Sequence, residues 1–194
     1  VWIRDFGPIY LINKKNKKKV FINFQFNGWS KYNDFKLDNK INEKISKITK
    51  IRKLEPTFKI GKKIRKFVLE GGAIDVNGMG SILLTKECLL SKIQQRNFGI
   101  KKKDYENMLS KFLNVNNFIW LNKGIKGDDT HGHIDDICRF VSPDTIMTAI
   151  ENNKKDVNYK ILQTNLNILK KAKNINGKNF NLIKIPMPKA IFIN

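Results

Sequence analysis

Apolar residues fall on every second position at Val20, Ile22, Phe24 and Phe26, the spacing of a strand with one buried face. Pro8 to Asn13 precedes them across a Lys-Asn turn, so the two segments predict a hairpin. The period then changes: Ile41, Ile45, Ile48 and Ile51 recur at helical spacing, Asp38 stands where a cap would, and a short strand is expected at Lys66 to Leu69. The same order returns twice. Ala73 to Val76 and Ser81 to Thr85 flank Asn77-Gly78, a strong hairpin signal, before a helix with Tyr105, Met108, Leu109 and Phe112 on one face and a strand Phe118-Ile119-Trp120. Strands near His133 to Val141 and Thr145 to Ile150 lead to a helix that Asp156 would cap, striped by Ile161, Leu162, Leu166 and Leu169, and Leu182 to Ile185 ends the series. Three strand-strand-helix-strand units, roughly 1–70, 71–132 and 133–194, predict blades about an axis within one α/β domain over residues 1–194. Three blades rarely close a ring, so an incomplete propeller is expected.

Composition narrows the class without supplying chemistry. With 194 residues, 41% of them hydrophobic, the chain is long enough to bury a core. No apolar run approaches the ~20 residues of a membrane span. The opening Val1-Trp2-Ile3-Arg4-Asp5 has no Met and none of the layout of a secretory leader. An excess of 38 Lys+Arg over 17 Asp+Glu gives +21, a number that alone would suit nucleic acid. The clusters Lys14 to Lys19, Lys62 to Lys66, Lys101 to Lys103 and Lys170 to Lys173 are scattered, however, and Lys far outnumbers the Arg preferred for forked phosphate contacts. With so much Asn and Ile, the charge reads as genome bias, and no specific nucleic-acid or membrane partner is expected. Cys88 and Cys138 show no metal-ligand spacing and suit free thiols in a cytoplasmic protein.

Candidate chemistry gathers at matching points of the units. Asp5 lies in WIRDFGP, Glu70 in LEGG, and His133 and Asp135 in GDDTHGHIDD, with 65 residues from Asp5 to Glu70 and 63 from Glu70 to His133. One rotation per blade would bring them to a common axis. Asp5 alone suits a turn carboxylate, and His133 alone a satisfied core histidine. Glu70, between apolar Phe67-Val68-Leu69 and two glycines, is a carboxylate at a buried strand end and needs a cation. On a regular strand His133 and Asp135 share a face. Converging carboxylates without a metal suit a guanidinium, whose planar fork binds them bidentately, and a neighbouring His can move protons. A metal held by His131, His133 and Asp135 is the alternative, lacking a defined fourth ligand.

These motifs resemble the agmatine deiminase and bacterial peptidylarginine deiminase family of guanidine-modifying enzymes over nearly the whole chain. WIRDFGP is similar to the family's Trp-x-Arg-Asp-x-Gly-Pro, FNGW at Phe26 to Trp29 to its Asn-x-Trp segment, and LEGGAIDVNGMGSILLTKECLL and GDDTHGHIDDICRFVSPD to two further motifs. Arg96-Asn97 and Pro186-Met187-Pro188 match as well. The resemblance implies a pentein-type, five-bladed α/β propeller of ββαβ repeats, about three blades of which are present here. It implies that Asp5 and Asp135 bind the guanidinium, that Glu70 is another acidic wall, that Trp2 lines the channel and that His133 is the general acid and base. It implies hydrolysis of agmatine to N-carbamoylputrescine and ammonia, in putrescine and polyamine synthesis, with no metal or organic cofactor.

The family's nucleophile is a Cys in a Gly-rich segment near the C-terminus, and no such segment occurs here. Cys138, three residues after Asp135, is expected to face the core, and Cys88 falls where the resemblance places a non-catalytic Cys. The 194 residues therefore read as a fragment that is inactive by itself. Open alternatives are a non-catalytic guanidinium-binding remnant, a peptidyl-arginine deiminase and a basic nucleic-acid module. Unpaired edges where further blades would dock favour association, including a homo-oligomer.

Overall fold

The computed structural model describes residues 2–189. A single helical turn, α1 (Ile3–Phe6), leads into an antiparallel hairpin of β1 (Ile9–Ile12) and β2 (Lys19–Ile22). Helix α2 (Ile41–Thr49) then crosses back, and β3 (Arg52–Leu54) adds parallel to β2. Asp38 does not cap α2, because it begins a 3-10 turn that runs straight into the helix. Ile48 of the expected stripe is 80% exposed.

The third strand of this first sheet lies earlier than its expected place at Lys66 to Leu69. Arg52-Lys53-Leu54 carries one apolar residue, and Lys53 is held in place by ion pairs to Glu43 and Glu55. Polar pairing of this kind leaves no periodic signature. Lys66 instead ends an added hairpin, β4 (Thr57–Ile60) with β5 (Lys63–Lys66), and Val68 forms only an isolated parallel bridge, to Gln25 beyond the end of β2.

The second sheet pairs β6 (Asp75–Val76) with β7 (Ser81–Thr85) antiparallel. A short helix α3 (Lys86–Leu90) and the longer α4 (Lys102–Leu113) follow, and β8 (Asn117–Leu121) returns parallel to β7. The third sheet has β9 (Cys138–Ser142) antiparallel to β10 (Thr145–Ile150), then α5 (Tyr159–Lys171), then β11 (Asn181–Pro186) parallel to β10. Asp156 accepts a bond from the Asn158 N–H in the turn before α5 and does not cap it. The expected strand at His133 to Val141 begins only at Cys138, and residues 133–137 are loop.

Alternation on the middle sheet builds two cores. Ile82, Leu84 and Trp120 face one way, against Ile22, Phe67, Tyr105 and Leu109, while Leu83, Ile119 and Leu121 face the other, against Ile134, Ile146, Leu162 and Leu169. A sheet covered on both faces reads as continuous apolar runs, and SILLT and FIWL are such runs. Each such buried Leu, Ile or Phe side chain contributes roughly 1.5–3 kcal/mol. No helix among the described residues is long and apolar enough to cross a membrane. The loops between these sheets meet on one side, where the candidate residues lie.

Candidate active site

Asp5 reaches the site from the single turn α1, which docks on the Gly71-Gly72 backbone after Glu70. A Cβ on Gly71 would come within 2.0 Å of the Arg4 carbonyl oxygen, so only Gly permits the contact. At Gly72 a Cβ would lie 2.5 Å from His133 Nδ1, 2.7 Å from Asp5 Oδ1 and 3.0 Å from Asp135 Oδ1. Bare backbone at residue 72 therefore lets three polar side chains converge. The Gly72 N–H donates to Asp5 Oδ1 at 3.1 Å, and the Trp29 indole Nε1 donates to Asp5 Oδ2 at 3.0 Å. Trp29 arrives there through a reversal in which Gly28, Trp29 and Ser30 all have positive φ (62°, 56° and 54°), costly for the two non-Gly residues.

His133 and Asp135 are positioned by a loop folded on a third carboxylate. Asp128 Oδ1 accepts from the Thr130 N–H (2.8 Å) and hydroxyl (2.6 Å), while Oδ2 accepts from the N–H groups of Gly132 (2.6 Å) and His133 (3.2 Å). Partial burial works against the Asp128 charge, but these donors, with the nearby His133, outweigh it and hold the carboxyl below its ordinary range. His133 Nδ1 then stands 3.8 Å from Asp5 Oδ1 and 3.9 Å from Asp135 Oδ1. The convergence expected from strand parity is present, but a carboxylate-stapled loop produces it, since these residues form no strand.

Glu70 is fully buried behind His133. Its Oε1 accepts from Arg96 Nε at 2.9 Å, and both side chains are 0% exposed. Arg96 also donates to the carbonyl oxygens of Gln94 (2.9 Å) and Thr130 (2.5 Å), tying the Glu70 segment to the His133 loop. The cation that buried Glu70 requires thus comes, for one oxygen, from the chain itself. Among the described residues the other oxygen, Oε2, has no hydrogen-bond partner, and neither has His133 Nε2, which lies 4.0 Å away. Cys88, in the first turn of α3, brings its thiol to the same place: Glu70, Cys88 and His133 each offer an atom within 4.8 Å of the others.

Asp5, His133, Asp135, Trp2 and Trp29 line a cleft of about 420 Å³, together with Arg4, Tyr32, Asp129, Thr130 and Asp136. Trp2 is 63% exposed at the mouth and meets Trp29 edge to face at 6.5 Å. Opposite it, Tyr32 donates to Asp129 Oδ2 at 2.8 Å and Lys31 pairs with Asp129. Burial pushes the Asp5 carboxyl above its ordinary range, opposed by His133 and reinforced by Glu70. Loss of hydration in the crowded cleft, then repulsion from Asp128 and Asp135, raises Asp136 to about 6.

Of the residues expected in the site, Asp5, His133, Asp135 and Trp2 meet in one cleft, and Glu70 lies one layer beneath it. His131 does not join them. It has φ 64° and its Nε2 lies 3.2 Å from Ser91 Oγ, so the alternative metal set of His131, His133 and Asp135 is not assembled. Cys138 is buried in the second core, as expected, with its thiol pushed up to about 12 by burial. Sequence reasoning missed Asp128, Trp29 and Arg96 as the groups that hold the site. Their signals were present, in GDDTHGH, FNGW and the Arg96-Asn97 pair, but side chains that serve other side chains leave no periodic mark.

The fold and the acid-lined cleft together define a pentein-type α/β propeller. The family model for Porphyromonas-type peptidyl-arginine deiminase matches residues 1–194, and the chain belongs to that family. It is 32% identical over 196 residues to the agmatine deiminase of Pseudomonas syringae pv. tomato, covering 98% of this chain and 50% of that protein. Among solved structures, it superposes with a TM-score of 0.82 and 34% identity on a cysteine-to-serine variant of C. jejuni agmatine deiminase with substrate bound, over 99% of this chain and 53% of that one. Agmatine deiminase of Enterococcus faecalis gives 0.85 and 29% identity, over 97% of this chain and 50% of that one. The chain spans about half the length of the curated relatives it matches.

Proposed function

We propose that these residues form the guanidinium-binding and acid-base portion of an agmatine deiminase, which converts agmatine and water into N-carbamoylputrescine and ammonia in putrescine synthesis. One observation carries the reading: Glu70 Oε2 and His133 Nε2 are two buried, partnerless atoms 4.0 Å apart behind a cleft lined with carboxylates. In the imidazole tautomer that carries its proton on Nδ1, the side nearer Asp5 and Asp135, Nε2 is an acceptor like Oε2. Facing acceptors require a donor. A planar NH2 group of a guanidinium supplies two N–H bonds at the needed angle, while Asp5 and Asp135 balance the cation and Trp2 borders its aliphatic tail.

Both cysteines are buried, and burial pushes the Cys88 thiol far from the thiolate form, so the nucleophile is assigned to the part of the relatives' length that this chain does not cover. The attacking thiol passes its proton to His133 Nε2 as the C–S bond to the guanidinium carbon forms, and one terminal C–N bond then breaks as His133 delivers that proton to the departing ammonia. His133 next takes a proton from water; the hydroxide adds to the same carbon, the C–S bond breaks, and the ureido product leaves with the thiolate restored. The similarity to an agmatine deiminase with substrate bound supports this substrate, and the family's peptidyl-arginine description supplies the competitor.

Ammonia release from agmatine and from an arginine-containing peptide, measured on the full-length enzyme, decides between them; agmatine is expected to be the better substrate. His133→Ala should lower kcat by roughly 10² to 10⁴, and His131→Ala should cost little. Equal losses in the two variants would remove His133 from the chemistry. A preference for the peptide would reassign the substrate, and a full-length protein without turnover would leave a guanidinium-binding remnant.

A further inference from the structure

The two facing acceptors have a third neighbour that the deimination chemistry leaves unused. Cys88 Sγ, Glu70 Oε2 and His133 Nε2 lie within 4.8 Å of one another, and all three residues are buried. A sulfur, a carboxylate oxygen and an imidazole nitrogen form a donor set that a borderline-soft cation prefers. We propose that this trio is an inhibitory site for a thiophilic divalent cation such as Zn2+, which competes with the substrate guanidinium for Glu70 and His133. Inhibition rests on the function proposed above; the metal site itself does not.

Several features support the assignment. Neither Glu70 Oε2 nor His133 Nε2 has a hydrogen bond to lose on coordination. Asp5 Oδ1 and Asp135 Oδ1 stand 3.8 and 3.9 Å from Nδ1, on the far side of the imidazole, where carboxylates orient a ligating His. The Cys88 backbone is fixed because its N–H donates to the Thr85 hydroxyl oxygen at 3.1 Å, and that hydroxyl in turn donates to the Gly132 carbonyl in the His133 loop. Cys88 and His133 are thus braced by one residue. Metal bonds of about 2.0 to 2.3 Å place ligand atoms roughly 3.3 to 3.7 Å apart, which side-chain rotation can reach from the present spacing. Three protein ligands leave a fourth position for water or another donor, and His133, which also lines the cleft, separates the trio from it.

The charge balance is defined. Burial keeps Cys88 a thiol, so coordination breaks S–H, forms S–metal and releases one proton to solvent. The cation adds two positive charges and the lost proton removes one; Asp5 and Asp135, across the imidazole, offset the remainder. Arg96 stays on Glu70 Oε1 and leaves Oε2 to the metal.

The test is titration of the protein with Co2+, read by its thiolate charge-transfer absorption, followed by displacement with Zn2+. One Co2+ per chain with a thiolate band is expected. Cys88→Ala should abolish the band, and Glu70→Gln and His133→Gln should each weaken binding at least tenfold, while His131→Ala should leave it unchanged. Circular dichroism identifies any variant that has not folded, and the remaining two ligand variants then decide. Excess agmatine should weaken Zn2+ binding in the wild type. Co2+ binding without the thiolate band, or of equal strength in the folded ligand variants, would overturn the site. A thiolate band that agmatine does not perturb would keep the metal site and remove the competition, and failure of agmatine to bind at all would count against the proposed function alone.

Discussion

Asp136 is where the acidity of the cleft becomes measurable. Its carboxyl sits at about 6, above the ordinary value of 3.8, because hydration is lost and Asp128 and Asp135 repel a further negative charge. A carboxyl raised in the folded state favours the protonated fold. Its contribution to stability is therefore fully present below about pH 4 and is lost as pH rises through about 6. The same ionisation adds a negative charge beside the cation site, so affinity for agmatine should rise between pH 5 and 7, and Asp136→Asn should flatten that rise. Carbon NMR titration of the side-chain carboxyl reads the group directly; an ordinary carboxylate midpoint near 4 would refute the assignment. Nothing in the order Ile-Asp-Asp-Ile reveals this, because the shift depends first on burial and then on Asp128, which a folded loop brings near.

Among the elements, Asn97 replaces a missing strand. Its side chain accepts from the Val68 N–H (2.9 Å) and donates to the Val68 carbonyl (2.8 Å) and the Tyr105 hydroxyl (2.9 Å), all of them buried. It pairs with the backbone of Val68 as a neighbouring peptide would, and so fixes the segment that leads to Glu70. Asn97→Ala leaves a buried N–H and C=O unpaired at about 1–3 kcal/mol each, and the melting temperature should fall by roughly 5 to 15 °C. Asn97→Asp, which keeps the acceptor, should fall between the two in thermal denaturation; a change within about a degree for Asn97→Ala would contradict the role. The same segment shows what periodicity can reveal. The second sheet was legible because both of its faces are buried, whereas β3 was hidden by Arg52 and Lys53, and the His133 loop resembled a strand because Ile134 and Ile137 pack into the core. Buried apolar groups announce themselves in sequence, and a loop held by side-chain hydrogen bonds does not.

For the whole molecule, three sheets of like topology deliver Asp5, Glu70 and His133 to one side, as the spacing of the motifs suggested. The family motifs identified the candidate residues; the Glu70–Arg96 pair, the burial of Glu70 beneath the cleft and the thiol beside it required coordinates. Exposed Ile183 and Ile185 on β11, which pairs only with β10 among the described residues, mark an edge suited to further blades or to association. We propose that these three sheets by themselves hold a guanidinium cation. Isothermal titration of the 194-residue protein with agmatine tests it, beside the same titration of Asp135→Asn. Saturable one-to-one binding is expected, weakened at least tenfold by the substitution because a carboxylate facing the cation is neutralised. Absence of saturable binding, or equal affinity in the two proteins, would contradict it.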